Sequence, residues 1–183
     1  MFIKVEETPN PDTLKFIPER ELDLENNVFL NRNDDVTLYP LAEELFGIEG
    51  VKSILLDNDF ISITKNSKES WEFLKTIITS KIGSYLQDKK PIKIPEKKVV
   101  NEKREYGETE KKIRELLETR VKPVVAGHGG DISFHSYEEG TVYLELKGSC
   151  SGCPSSTATL KMGIENMLKH FIPEIKEVLE VTN

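Results

Sequence analysis

Apolar and polar residues alternate in several short segments of the N-terminal half, which predicts β-strands. The segments FIKVEET and TLKFIP follow this pattern on either side of TPNP, whose two prolines fix φ and exclude helix. Further along, VKSILLDNDFISITK alternates on both sides of Asp57, Asn58 and Asp59, which is typical of a β-hairpin.

Two other segments of this half carry apolar residues at helical spacing. YPLAEELFGIEG predicts a short helix with Pro40 in its first turn and Gly47 or Gly50 at its end. Asn66 and Glu69 are expected to form a capping pair at the start of a second helix. Its apolar residues, which recur at helical spacing, are Trp71, Leu74, Ile77, Ile78, Ile82, Tyr85 and Leu86.

The C-terminal half predicts a helix, a hairpin, a second helix and an edge strand. The first helix should end near Lys122, because Pro123 disfavours helical geometry in the residue before it. DISFHSY and TVYLELK predict the hairpin, and IKEVLEV the strand. Pro154 suits the first turn of the second helix, whose apolar stripe is Leu160, Ile164, Met167, Leu168 and Phe171.

A charged segment with few large apolar residues separates the halves. It runs from Asp88 to Glu110 and contains two prolines and a glycine, which predicts a solvated linker. The fold class is therefore α+β, with two small domains at residues 1–88 and 108–183 joined by a flexible charged linker at 89–107.

Length and charge narrow the function classes. The chain of 183 residues is long enough for one domain or two small ones and has a formal net charge of -7. This charge disfavours nucleic acid as a partner, and no apolar run is long enough to cross a membrane. The N-terminal MFIKVEETPNPDTLKF has the features of neither a signal peptide nor a transit segment. We therefore expect a cytoplasmic, bacterial protein, with the mitochondrial matrix less favoured.

Candidate chemistry is concentrated in KGSCSGCPSSTATLKMG, which contains both cysteines, Cys150 and Cys153. Two cysteines so close together do not form a disulfide framework, which favours a reducing compartment. If a helix begins at Pro154, both sulfurs lie near free backbone N–H groups and the positive end of its dipole. That position is expected to lower the thiol pKa and favour thiolate.

Three uses of the pair stay open. The cysteines can serve as small apolar residues, although Gly and Ser flank both. They can form a thioredoxin-like dithiol, although that fold needs a surrounding βαβ sheet and only one helix and one strand follow. Finally, thiolates bind zinc or iron-sulfur clusters, which commonly take four ligands.

The number of cysteines determines how zinc or an iron-sulfur cluster would be bound. Because the chain holds two, a four-thiolate site requires two copies, each donating Cys150 and Cys153. A centre held by two exposed loops should pass readily to competing thiolates, as suits a carrier. A zinc-bridged dimer and a dithiol oxidoreductase remain the alternatives.

The cysteine segment resembles a known family. GSCSGCPSSTATLKMGIENMLKHFIPEIKEV, with the preceding GGDISF, closely resembles the C-terminal domain of NifU-like (Nfu) iron-sulfur cluster proteins. ETPNPDTLKF and FGIEGVKSILLDNDFISITK resemble the Nfu N-terminal domain. One difference is His128, where the family usually has Asp or Asn.

The resemblance implies a scaffold or carrier, not an enzyme. It would hold a 4Fe-4S cluster, with 2Fe-2S as the alternative, between two monomers through Cys150 and Cys153. Its partners would be a second copy, apo iron-sulfur proteins as acceptors and an upstream assembly scaffold as donor. The N-terminal domain would aid partner recognition without ligands of its own.

The remaining candidate residues favour structural roles. His128 suits a turn between glycines, and His135 and His170 suit a hairpin and a helix end. Gly129 and Gly130 are expected to permit positive φ. No Ser, His and acid arrangement or phosphate-binding glycine loop indicates catalysis.

Overall fold

The computed structural model describes residues 1–93, 106–151 and 154–181. The chain separates into two compact units, Met1–Val100 and Asn101–Asn183. Each unit combines strands with helices, which confirms the predicted α+β class.

The first unit contains a five-stranded antiparallel sheet and two helices. The elements are β1 (Ile3–Glu7), β2 (Thr13–Pro18), β3 (Val28–Asn31), α1 (Pro40–Phe46), β4 (Val51–Leu56), β5 (Ile61–Lys65) and α2 (Trp71–Gln87). The strand order is β1-β2-β5-β4-β3, so β1 and β3 form the edges. All the predicted elements are present, and β3 is an addition.

One face of this sheet packs against the helices. The core joins strand residues such as Phe16 and Ile63 to helix residues such as Leu45, Ile78 and Ile82. Side chains at i, i+2 of a strand and i, i+4 of a helix share a face, which explains why the alternation and the helical spacing were informative.

The start of α2 differs from the prediction. Its N-cap is Ser70, whose Oγ accepts a hydrogen bond from the Glu72 N–H at 3.2 Å, so the predicted Asn66–Glu69 capping pair is wrong. Those two residues instead close a backbone turn before the helix. Trp71 packs against the core while partly buried, and its Nε1 donates to the Pro11 carbonyl at 3.0 Å.

The second unit has a three-stranded sheet flanked in sequence by helices. Its elements are α3 (Glu108–Leu116), a π-helical turn (Leu117–Val121), α4 (Lys122–Gly127), β6 (Gly130–Glu138), β7 (Thr141–Gly148), α5 (Pro154–Phe171) and β8 (Glu177–Glu180). β7 lies in the middle, antiparallel to β6 and parallel to β8. The predicted order of helix, hairpin, helix and strand is confirmed.

The first helical segment continues past Lys122, so its predicted end there is wrong. A proline lacks the N–H that would donate to the carbonyl four residues earlier. The chain adopts a wider π-helical turn up to Val121, and Pro123 then occupies the first turn of α4, where no donor is required.

The apolar stripe of α5 is buried at Ile164 and Leu168. Phe171 is 44% exposed, and the Arg120 guanidinium lies 4.7 Å from its ring centroid. The C-terminal end of the predicted stripe therefore lies at the surface.

The predicted linker begins with residues that contact the first unit. Ile92 belongs to its core, and the Tyr85 hydroxyl donates to the Pro91 carbonyl at 2.7 Å. Residues 94–105 lie outside the described residues, so the extent and flexibility of the linker stay predictions. Within the described ranges, no helix is both long and apolar enough to cross a membrane.

Candidate functional site

Cys150 lies just beyond the end of β7, in the segment that leads to α5. Its side chain is 7% exposed and belongs to the second unit's apolar core. Gly152 and Cys153 lie outside the described residues. Among the residues that are described, no three His, Cys, Asp or Glu side chains converge as a metal site. The described part of one chain thus supplies one cysteine sulfur, that of Cys150.

Ser149 attaches the cysteine segment to the turn before β6. Its N–H donates to the Gly129 carbonyl at 3.1 Å, and its Oγ donates to the His128 carbonyl at 2.6 Å. Because Gly130 and Gly148 are the first paired residues of the β6–β7 hairpin, both bonds lie at the end of that ladder. The backbone beside Cys150 is therefore fixed from two directions.

Glycines serve two different purposes here. Gly129 and Gly148 have φ of 76° and 63°, values that residues with a Cβ rarely adopt. Gly130 is outside the positive-φ set, so the predicted conformational role is confirmed for Gly129 and wrong for Gly130. A Cβ on Gly130 would lie 2.3 Å from the Cys150 Sγ, so this glycine provides space for the sulfur.

The segment turns again immediately after Cys150. The N–H and Oγ of Ser151 both donate to the Gly148 carbonyl, at 3.2 and 3.0 Å. This turn reverses the chain within three residues of the end of β7.

Burial raises the pKa of the Cys150 thiol to about 11, because the charged thiolate loses solvation there. A hydrogen bond involving the Ser149 side chain opposes this rise, and the carboxylates of Asp131 and Glu180 add to it. The expected lowering of the pKa is therefore wrong for Cys150. Its sulfur lies beyond the end of the hairpin and within the core, where burial is the largest influence on its pKa.

The two acidic neighbours come from different strands. Asp131 is 4% exposed in β6, and Glu180 ends β8. Burial raises the pKa of Glu180, while the Lys161 ammonium lowers it. Both carboxylates disfavour the negatively charged thiolate of Cys150.

The histidines have no common site in this structure. His128 contributes its carbonyl oxygen to the Ser149 bond, and its side chain is exposed. His135 is exposed at an irregularity in the β6–β7 pairing. His170 makes an edge-on ring contact with Phe171 near the end of α5.

Sequence reasoning found the cysteine but missed its supporting residues. Ser149 acts on carbonyl groups about 20 residues earlier, and a serine between Gly and Cys gives no sign of this. Glu180 reaches the site through the parallel pairing of β8, which no local pattern encodes.

Comparison with known proteins finds similarity along nearly the whole chain. The NifU-like domain profile matches residues 113–179, which include the hairpin, the cysteine segment and α5. The profile described as scaffold protein Nfu/NifU N terminal matches residues 3–89. A human protein named NFU1 iron-sulfur cluster scaffold homolog, mitochondrial, is 41% identical over 185 residues, covering 99% of this chain and 72% of that protein. The chain belongs to the NifU-like family.

Other NifU-like relatives are similar over the same extent. A homologue from Drosophila persimilis with the same printed name is 40% identical over 191 residues, covering 99% of this chain and 65% of that protein. This chain thus spans slightly less than two thirds of the length of that relative. The names place both relatives in mitochondria, which weighs against the predicted bacterial cytoplasm.

Solved structures also match parts of the chain. Protein SAV1430 from Staphylococcus aureus is 28% identical, with a TM-score of 0.40, and the match covers 45% of this chain and 99% of that one. A NifU-like protein from Saccharomyces cerevisiae is 23% identical, with a TM-score of 0.48, covering 52% of this chain and 87% of that one.

Proposed function

We propose that this chain is a non-enzymatic scaffold that carries an iron-sulfur cluster as cargo. Cys150 and Cys153 of each copy would provide two thiolates, and two copies would together hold one 4Fe-4S cluster. The proposal depends on one observation: the single pair of cysteines begins with a sulfur whose backbone is fixed by Ser149 and whose space is provided by Gly130.

The surroundings of Cys150 fit such a cargo. Iron binds the thiolate, so binding must displace the thiol proton. Burial and the carboxylates of Asp131 and Glu180 keep the Cys150 thiol protonated while no cargo is bound, so the iron must displace that proton on loading. The names of the NifU-like relatives, which call them iron-sulfur cluster scaffold homologues, support the same role.

The second copy follows from the ligand shortage, because it completes the four-thiolate set. The family resemblance implies the other partners: an upstream scaffold that donates the cluster and apo iron-sulfur proteins that accept it. Reduced thiols are required throughout, so we place the protein in a reducing compartment such as the cytosol or the mitochondrial matrix.

The environment of the Cys150 sulfur gives less support to a dithiol oxidoreductase. Such enzymes use a thiolate with a lowered pKa, whereas burial raises the pKa of Cys150 to about 11. An insulin-reduction assay should give only the background rate.

The direct test is anaerobic reconstitution with ferrous iron and sulfide. We expect four iron and four sulfide ions per two chains, a Mössbauer spectrum typical of a 4Fe-4S cluster, and a dimer by native mass spectrometry. Cys150→Ser and Cys153→Ser should each abolish uptake while the far-ultraviolet circular dichroism is unchanged. His128→Asn, a matched change beside the site, should load normally.

Three results would contradict the proposal. The first is a full iron and sulfide content in a monomer, and the second is normal loading of either serine variant. The third is zinc as the sole metal in protein purified without oxygen, which would favour the zinc-bridged dimer.

A further inference from the structure

The first unit has an open edge strand beside a helix. β1 pairs with β2 on one side, and no described strand pairs with its other side. Alternate N–H and C=O groups of an edge strand point away from the sheet and are available to another strand. Added strands at such edges are a common way for domains to bind extended peptides.

A groove of about 610 Å³ runs between this edge and α2. Its lining consists of Phe2–Val5 from the strand side and Lys75, Thr76, Thr79 and Ser80 from the helix. At one end the two elements approach closely, because a Cβ on Gly83 would lie 3.8 Å from Ile3 Cδ1. Residues 2–5, which line the groove, extend over about 13 Å, so about four residues of an added strand can lie alongside them.

The charges of the groove favour a carboxylate-bearing segment. Lys4 and Lys75 are its charged lining residues, and both are cations in a chain whose net charge is -7. Lys4 pairs with Glu6 at 2.6 Å, outside the groove lining, while Lys75 has no carboxylate within 4.0 Å among the described residues.

Exposed aromatic side chains lie close to the groove. Phe2, the residue before β1, is 67% exposed. Phe73 of α2, two residues before Lys75, is 72% exposed. Side chains of an added strand alternate between faces. One set would therefore meet α2, and the other would meet the face that carries Phe2 and Lys4.

We propose that the groove between β1 and α2 binds an extended segment of a partner protein, which adds to β1 as a strand. The segment carries alternating acidic and apolar residues: the carboxylates face α2 beside Lys75, and the apolar side chains lie on the opposite face, where they cover Phe2. The site contains no cysteine, so it acts independently of the cargo.

The test begins with a display library of random ten-residue segments, selected on the immobilised full chain. Binders should be enriched in alternating acidic and apolar residues. A synthetic peptide of the most enriched sequence, titrated into isotope-labelled full chain, should shift the amide resonances of residues 2–6 and 75–80. Methylation of alternate peptide nitrogens should abolish binding, since strand addition uses those N–H groups.

Charge reversal provides the matched comparison. Lys4→Glu/Lys75→Glu should weaken binding about tenfold, whereas Lys52→Glu/Lys68→Glu, the same charge change at exposed lysines elsewhere in the unit, should change it less than about twofold. The proposal is overturned if no segment is enriched, if both double variants bind equally, or if the resonance shifts lie elsewhere. Self-association of the free chain through residues 2–6 would overturn it too, as would undiminished binding of the methylated peptide.

Discussion

The TPNP loop of the first unit and the backbone of residues 149–151 in the second are both fixed by hydrogen bonds, but by different means. In the first loop the polar side chains bind the loop itself. The Thr8 hydroxyl lies 2.9 Å from each of the Asn10 and Thr13 carbonyls, and the Asn10 side chain accepts from the Asp12 N–H at 3.0 Å. The Asp12 carboxylate then pairs with Lys65, whose side chain is 7% exposed.

The cysteine segment is fixed by backbone groups and small side chains. Ser149 supplies a hydroxyl, and three glycines supply conformational freedom or space. The two loops teach that rigidity alone does not indicate a binding site. The first loop stabilises the fold by pairing Asp12 with Lys65 of β5, whereas the residues around Cys150 are glycines and serines that fix its backbone and leave space for its side chain.

The largest effect is expected from Gly130→Ala. The new Cβ would overlap the Cys150 Sγ, so we expect the second unit to lose about 3 kcal/mol of unfolding free energy and the chain to lose cluster uptake. Amide hydrogen exchange and iron content measure the two effects. Gly163→Ala is the matched control, because no atom lies within 4 Å of its Cβ position.

Removing the sulfur tests the cause of that loss. Gly130→Ala/Cys150→Ala should recover most of the unfolding free energy without recovering cluster uptake. If the double variant is as unstable as Gly130→Ala, contact with the sulfur is not the reason for the glycine.

Asp12→Ala should affect only the first unit. It leaves the buried Lys65 ammonium without its carboxylate, which should cost about 2 to 3 kcal/mol. Fluorescence of Trp71, the single tryptophan, reports urea unfolding of this unit directly, since its indole donates to the same loop. Cluster uptake should be unchanged, and Glu25→Ala, at an exposed position, should leave the midpoint unaffected.

The two units should lose stability at opposite ends of the pH scale. A hydrogen bond with Lys65 lowers the pKa of Asp12, so its stabilisation is present at neutral pH and is lost as the pH falls through that lowered value. Burial raises the pKa of Cys150 to about 11, so its stabilisation is present below the ordinary thiol pKa and is lost as the pH rises towards 11.

For the metal-free second unit, that alkaline loss should be about 2 kcal/mol. Urea unfolding at a series of pH values measures the loss of unfolding free energy at both ends of the pH scale. Asp12→Asn should reduce the loss at acid pH, and Cys150→Ser should reduce the loss at alkaline pH. A Cys150→Ser chain with the same alkaline loss as the parent would assign the effect to other groups.

The smallest effect is expected from Ser149→Ala. It removes the hydroxyl donor to the His128 carbonyl and should cost about 1 kcal/mol. Because the backbone bond to Gly129 remains, the cluster should still load but leave faster in the presence of a competing chelator. Ser155→Ala, a serine beyond the pair, serves as the sequence-matched control, and equal release rates would contradict a supporting role for Ser149.

The sequence predicted the elements whose patterns are long. The hairpins and α2 each repeat one period over many residues, which is enough to distinguish strand from helix. β3 was missed because VFLN is only four residues long and polar residues surround it. The end of the first helix in the second unit was misplaced because a local π-helical turn accommodates Pro123.

At the candidate site, the sequence identified the sulfur but not its environment. Residue spacing revealed the cysteine pair and the glycines before β6. The raised pKa of Cys150, the space left at Gly130 and the nearby Glu180 all depend on contacts between residues distant in the chain. Local propensity contains no information on such contacts.

The central position of β7 in its sheet affects how the proposed iron-sulfur cluster would be released. A strand with neighbours on both sides exchanges its amide protons slowly, because those amides open only when the whole domain opens. Cys150 lies two residues beyond this strand, in a segment attached to it rather than within it. If Cys150 holds the proposed cluster, local opening of a few residues beyond β7 would release it while the rest of the domain stays native.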